Sequence, residues 1–245
     1  MIQPIILAAG RSTRMRSDMP KALAEVGGVS MLGRLLDTFQ QTGTHKPIVV
    51  VGWGAEHIKE RFPNERYVEQ AEQKGTAHAV GVCVPFLDQE HTAVFVLYAD
   101  NPFITAESIS RIADMFTQEK PALVLGTTSV PDFGRWRAAF NSFGRIVRDE
   151  SGSLEKIVEY KNATDDERLI TEVNPGFYCI DSAWLEEALA RVKPNPVNGE
   201  LYLTDIIALA KNDGRRILTV GVSAQESLGI NSPEDALRAE GVVNK

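Results

Sequence analysis

A short apolar run at residues 2–7 gives way to Ala8-Ala9-Gly10, and the first 21 residues then carry Arg11, Arg14, Arg16 and Lys21 against a single acid, Asp18. Where a buried strand turns into a loop, released backbone N–H groups can donate to phosphate oxygens. Gly10 would let the chain approach those oxygens closely, while Arg14 and Lys21 can neutralise the charge of a triphosphate. The arginine is the better placed of the two to bridge a pair of phosphate oxygens. Neither G-x-x-x-x-G-K-[ST] nor G-x-G-x-x-G occurs near this segment, which counts against a P-loop or dinucleotide site. Asp100 follows a second apolar run, at 93–97. A carboxylate there is costly unless it reaches the ligand edge of the fold, where Mg²⁺, which prefers oxygen ligands and keeps several waters, would suit it. A turn or capping role just before Pro102 is the alternative.

The elements that must position these groups follow from periodicity. Continuous apolar runs at 2–7, 47–51, 93–97 and 122–125 read as buried strands. Between them lie stretches of helical spacing. Met31, Leu32, Leu35, Leu36 and Phe39 share one face behind Ser30 as N-cap, and Ile109, Ile112, Ala113 and Phe116 do so behind Thr105. Strands that are apolar throughout and alternate with helices predict a doubly wound α/β fold, mostly parallel, with ligands at the carboxyl ends of the strands. The loops after Leu7 and Tyr98 would then open on one edge. From about Phe143 the pattern changes to a β-hairpin with its turn at Ser151-Gly152, followed by a strand at 173–180. Further helices are expected at 184–192, 203–211 and from Pro233 onward, the last capped by Ser232. These elements are expected to form a single domain spanning 1–245.

Composition narrows the class. The chain has 245 residues, 43% of them hydrophobic and 24% charged, as in ordinary globular proteins, and a formal net charge of −7. That charge argues against a broad basic face for nucleic acid. Cys83 and Cys179 sit in apolar settings without metal-ligand spacing and read as buried small hydrophobes. Met1 leads directly into the first apolar run, and no stretch reaches the ~18 apolar residues that would span a bilayer, so a cytoplasmic location without a membrane partner is expected.

With Pro20-Lys21, the segment Leu7-Ala8-Ala9-Gly10-x-x-Thr13-Arg14-Met15 resembles the signature loop of the Rossmann-like nucleotidyltransferase superfamily. Later segments narrow the likeness: Gln70-x-x-Gln73-x-Gly75-Thr76, Tyr98-x-Asp100-x-Pro102, Phe143-Gly144-Arg145-Ile146, Ile157-Val158-Glu159-Tyr160, Glu172-x-Asn174-x-Gly176, Gly199-Glu200-x-Tyr202-x-Thr204-Asp205 and Gly229-Ile230-Asn231. In this order they resemble the uridylyltransferase half of bacterial N-acetylglucosamine-1-phosphate uridylyltransferases, over essentially the whole chain. The family's C-terminal acetyltransferase β-helix has no counterpart in these residues.

That resemblance implies transfer of UMP from UTP to N-acetylglucosamine-1-phosphate or a related hexose-1-phosphate, with Mg²⁺ as cofactor and small molecules as the only substrates. It implies that Arg14 and Lys21 are catalytic, and that Leu7, Ala8, Ala9, Gly10, Gln70, Gln73, Gly75 and Thr76 bind the nucleotide. Tyr98, Gly144, Glu159 and Asn174 correspond to sugar-binding positions, and Asn231 joins Asp100 as a metal ligand; helix capping is the rival role for Asn231. His78 reads as a packed helix residue and Tyr160 as a hairpin side chain. A monomer or small homo-oligomer is expected. Three residues depart from the pattern: Ser12 and Ala99 where glycine is usual, and Pro175 where threonine is common. The stretch 131–142 is longer than expected, and either a lid over the substrate or a packed surface or oligomer contact would account for it. Two competing functions share the first loop: a cytidylyltransferase acting on an alcohol phosphate, and a non-catalytic nucleotide-binding regulatory module.

Overall fold

The computed structural model of the chain describes residues 1–10, 15, 18–87 and 90–243. Strand β1 (Ile2–Leu7) lies between β4 (Ile48–Val51) and β6 (Ala93–Tyr98), parallel to both, with Leu7 opposite Val50 on one side and Tyr98 on the other. Both faces of these strands are covered, which is why they read as apolar runs, broken in β1 by Gln3, which is buried and donates to Lys46 O. Alternate side chains feed two cores. Ile5, Leu7, Ile48, Val50, Val94 and Val96 pack against α3 (Thr76–Gly81), α6 (Ser182–Leu189) and α7 (Asp205–Asn212). Ile6, Val49, Val51, Phe95 and Leu97 pack against α1 (Met31–Thr42), α2 (Ala55–Arg61) and α4 (Ala106–Glu119). The expected caps form: the Ser30 and Thr105 side chains accept from Gly33 N and Ser108 N.

The sheet extends through β5 (Arg66–Glu69) at one edge and β7 (Leu123–Ser129) and β11 (Ile217–Gly221) at the other, in the order β5-β4-β1-β6-β10-β7-β11. Strand β10 (Glu172–Asp181) runs antiparallel between β6 and β7. Its register with β7 shifts between Val173 and Phe177, and its first residues pair with β7 on one side and, through Val173 and Asn174, with β8 (Gly144–Arg148) on the other; β8 forms the expected hairpin with β9 (Leu154–Val158). A short ribbon of β2 (Glu25–Val26) and β3 (Val29–Ser30) stands apart from this sheet. Four-residue α5 (Asp165–Arg168) precedes β10.

A third core joins the ribbon, the 3-10 segment Arg135–Ser142 and α8 (Pro233–Val243) around Val26, Phe140, Val173, Ile230 and Ala239. The long 131–142 stretch is thus packed: Phe140 is fully buried, edge-on to Trp136 and Phe143. Beside it the guanidinium of Arg145, also fully buried, donates to the carbonyls of Phe143, Asn141 and Arg168 and lies over the rings of Phe133 and Tyr160. Both cysteines are buried and free. Among the described residues no helix is long and apolar enough to cross a membrane.

Candidate active site

The sheet order reverses at β1, since β4 lies on one side of it and β6 on the other, and a crevice opens at their carboxyl ends. Pairing persists just past both strands, through Ala8 N to Val50 O and Ala99 N to Leu7 O, before the chain leaves the sheet. Leu7, Ala8, Ala9 and Gly10 form one wall of a cleft of about 490 Å³, and a side chain placed at Gly10 would meet open space. Arg14 and Ser12, both singled out in the sequence, lie outside the described residues.

Gln70, Gln73, Gly75 and Thr76 form a second wall. Gln70 is nearly fully buried, and its amide nitrogen lies 3.0 Å from both Gly75 O and His78 Nδ1. The Gly75 carbonyl only accepts, which sets the NH₂ end on this side, so His78 Nδ1 accepts as well and the Gln70 carbonyl oxygen is turned the other way. His78 is therefore more than helix packing: it orients Gln70. Gly75 has φ +103°, and a Cβ there would come 2.5 Å from Leu201 O. The segment after Gly199 braces this wall through Leu201 N to Lys74 O, Ala77 N to Leu201 O and Leu203 N to Thr76 Oγ1. Two wall-shaping residues were given no role in the sequence. Gly52 lets Ala9 and Gln73 come close, since a Cβ would sit 2.9 Å from an atom of each, and Glu200 lines the cleft. The Gly52-Trp53-Gly54 turn after β4 was a signal for the first.

At the floor, Tyr98, Asp100 and Asn231 meet Lys21. The Lys21 ammonium is ion-paired to Asp100 Oδ2 and donates to Asn231 Oδ1 at 2.7 Å. The alternative capping roles fall to neighbours. Ser232 caps α8 by accepting from Asp235 N, and Asn101 rather than Asp100 secures the turn by donating to Pro175 O. Asp100 O accepts from Ile230 N, which holds the segments carrying Asp100 and Asn231 side by side.

The remaining candidates gather next to Tyr98. Gly144 pairs with Asn174, and a Cβ on Gly144 would lie 3.7 Å from Glu159 Oε1. Gly176, at φ +92°, leaves room for the Tyr98 ring, which a Cβ would strike. Asn174 donates to Tyr178 Oη at 2.8 Å and accepts from Gly176 N at 2.9 Å, so both ends of its amide are oriented. Burial raises the Tyr98 phenol well above its ordinary value, with Thr76 and Tyr178 as its hydrogen-bond partners. Thr76, Tyr98 and Tyr178 thus lie together, and Asn174 joins them through its bond to Tyr178 Oη. Burial also raises the Glu159 carboxyl; Thr204 opposes this by donating to it, and nearby Asp205 adds to it. Glu159 and Asp205 share a side hollow of about 210 Å³.

A family model described as the MobA-like NTP transferase domain matches residues 4–175. The chain belongs to this family. The transferase is 40% identical over 243 residues to the Bifunctional protein GlmU of Cellvibrio japonicus, across 98% of this chain and 51% of that protein. It is 36% identical over 238 residues to the Bifunctional protein GlmU of Bacillus subtilis, across 96% of this chain and 51% of that protein. It thus spans about half the length of the curated relatives it matches. The structure of a UDP-glucose pyrophosphorylase complexed with UDP-glucose shares the fold, with a TM-score of 0.77 at 16% identity, covering 100% of this chain and 99% of that one.

Proposed function

We propose that this nucleotidyltransferase moves UMP from UTP to N-acetylglucosamine-1-phosphate or a related hexose-1-phosphate, releasing pyrophosphate. What carries the reading is the convergence, in a single cleft at the β1/β6 crevice, of the Leu7–Gly10 wall, Lys21 and Asp100 with the glutamine wall, beside the Gly144/Glu159/Asn174 cluster. The GlmU relatives and the ordered motifs supply the direction toward nucleotide sugars.

A sugar-phosphate oxygen attacks the α-phosphorus in line with the bond to the β-phosphate, which breaks as pyrophosphate departs. Such a transfer depends on positioning and charge neutralisation more than on proton transfer. In this reading Gly10 and its neighbours receive the phosphates, Arg14 bridges oxygens of the reacting and leaving groups, and Lys21 is the second cation. Gln70, with its amide nitrogen engaged by Gly75 and His78, turns its carbonyl oxygen toward a donor such as uracil N3–H. Glu159 and Asn174 bond the sugar hydroxyls or N-acetyl group, with Tyr98 and Gly144 shaping the space.

Asp100 and Asn231 would hold Mg²⁺. Their oxygens already converge on one positive group, the Lys21 ammonium, which fits a hard cation taking one carboxylate and one amide oxygen and completing its shell with phosphates and water. When bound there, the ion supplies charge neutralisation to the phosphate oxygens.

Pyrophosphate release from UTP and N-acetylglucosamine-1-phosphate tests the residue roles. Arg14→Ala and Asp100→Ala should each lower turnover by at least about a hundredfold while the melting curve stays cooperative. Wild-type rates in either variant would remove that residue from the mechanism.

A further inference from the structure

The contacts of Lys21 place it where the proposed metal belongs. Its ammonium meets both Asp100 Oδ2 and Asn231 Oδ1, the two oxygens assigned above to Mg²⁺, and its side chain is only 14% exposed. Magnesium binds oxygen at about 2.1 Å. Both oxygens are already bonded to the ammonium, and a divalent ion taking the same two oxygens would be repelled by its charge. Lysine and metal therefore compete for this seat.

The backbone of Lys21 is fixed while its side chain can swing. The residue opens a 3-10 turn, Lys21–Leu23, closed by Leu23 N to Pro20 O and Ala24 N to Lys21 O, and Ala22 beside it is buried. A rigid turn bearing a four-carbon stem can move its charge across the cleft without moving the chain. The Leu7–Gly10 wall borders the same cleft, so a triphosphate lying there would offer the ammonium new oxygen partners.

We propose that Lys21 is an exchangeable counter-cation: it neutralises Asp100 and closes the Asp100/Asn231 seat to a free divalent ion, and it yields that seat when a nucleotide's phosphates draw it away. Metal and nucleotide then enter together, and by linkage each strengthens the binding of the other by the same factor. This rests on the assignment of Asp100 and Asn231 as the metal seat.

Mn²⁺ binding in the absence of nucleotide, followed by the loss of the free-ion paramagnetic resonance signal, tests the exchange without reference to activity. Lys21→Met should bind Mn²⁺ on the order of tenfold to a hundredfold more tightly than the wild type, because the ammonium's two contacts no longer have to be broken and its charge no longer opposes the ion. Adding Asp100→Ala to that variant should erase the gain. Lys21→Gln provides a second neutral replacement in case Lys21→Met fails to fold. Equal Mn²⁺ affinity in wild type and the neutral variants would overturn the exchange, as would a gain that survives Asp100→Ala. The metal assignment has its own readout in the Asp100→Ala turnover above; wild-type turnover there would remove the seat itself, and the exchange with it.

Discussion

Glu159 shows how a single side chain can tie stability and function to pH. Burial, reinforced by Asp205, places its folded-state pKa above the ordinary carboxylate value, even though Thr204 donates to it. A carboxyl that ionises later in the folded protein than in the unfolded chain favours the fold most below the unfolded value. That contribution is lost as the pH rises through the folded value. Under the sugar-binding role proposed for Glu159, function would run the other way, since an ionised carboxylate is the better acceptor for hydroxyls. The acidic limb of kcat/KM for the sugar phosphate should therefore lie above the ordinary carboxylate range. Asp205→Asn, which removes the like charge, should move it to lower pH. A limb that stays in place in that variant, or that persists in Glu159→Gln, would show that Glu159 does not set it. The sequence marked Glu159, Asn174 and Tyr98, but it could not show the contacts through which Tyr178 and Thr76 hold them. Tyr178 lies in an apolar run, where a phenol reads like any other core ring.

At the scale of elements, the stretch 131–142 divides structure from function most clearly. Two roles were open for it in the sequence, a lid or a packed segment, and Phe140 sits fully buried in the core shared with α8 and the β2/β3 ribbon. Phe140→Ala should therefore cost about 3–5 kcal/mol of stability, with KM for either substrate little changed at a temperature where the variant is folded. Thermal unfolding and steady-state kinetics on the same preparation would separate the roles. An unchanged melting temperature with a raised KM would reinstate the lid. Elements with strong local signals, β1, α1 and α4 among them, were legible because a covered strand is apolar throughout and an amphipathic helix repeats its face behind a cap. Edge strands β5 and β11 were not. Only Val68 of β5 is buried, and no residue of β11 is fully buried, its apolar residues being interrupted by Thr219.

At the scale of the whole molecule, function depends on distances that run against chain order. Lys21 reaches Asn231, 210 positions away, and β10 arrives from the second half of the chain to lie antiparallel between β6 and β7. The strand at 173–180 was legible, but its place in the sheet was not, since neighbour order is set by nonlocal pairing that periodicity does not encode. The motif order compensated for part of this. It brought Asp100 together with Asn231 and Gly144 with Asn174 through resemblance, and the fold provides the contacts: Ile230 N to Asp100 O in one case and β8–β10 pairing in the other. What the proposed function expects of the assembled cleft is transfer of UMP to N-acetylglucosamine-1-phosphate or a related hexose-1-phosphate. The most direct measurement supplies purified protein and Mg²⁺ with equal concentrations of UTP and CTP, together with N-acetylglucosamine-1-phosphate, glucose-1-phosphate and an alcohol phosphate, and resolves the products by mass. UDP-linked sugar should dominate, with stoichiometric pyrophosphate. A predominance of CDP-linked alcohol, or the absence of any nucleotide-linked product, would contradict the assignment.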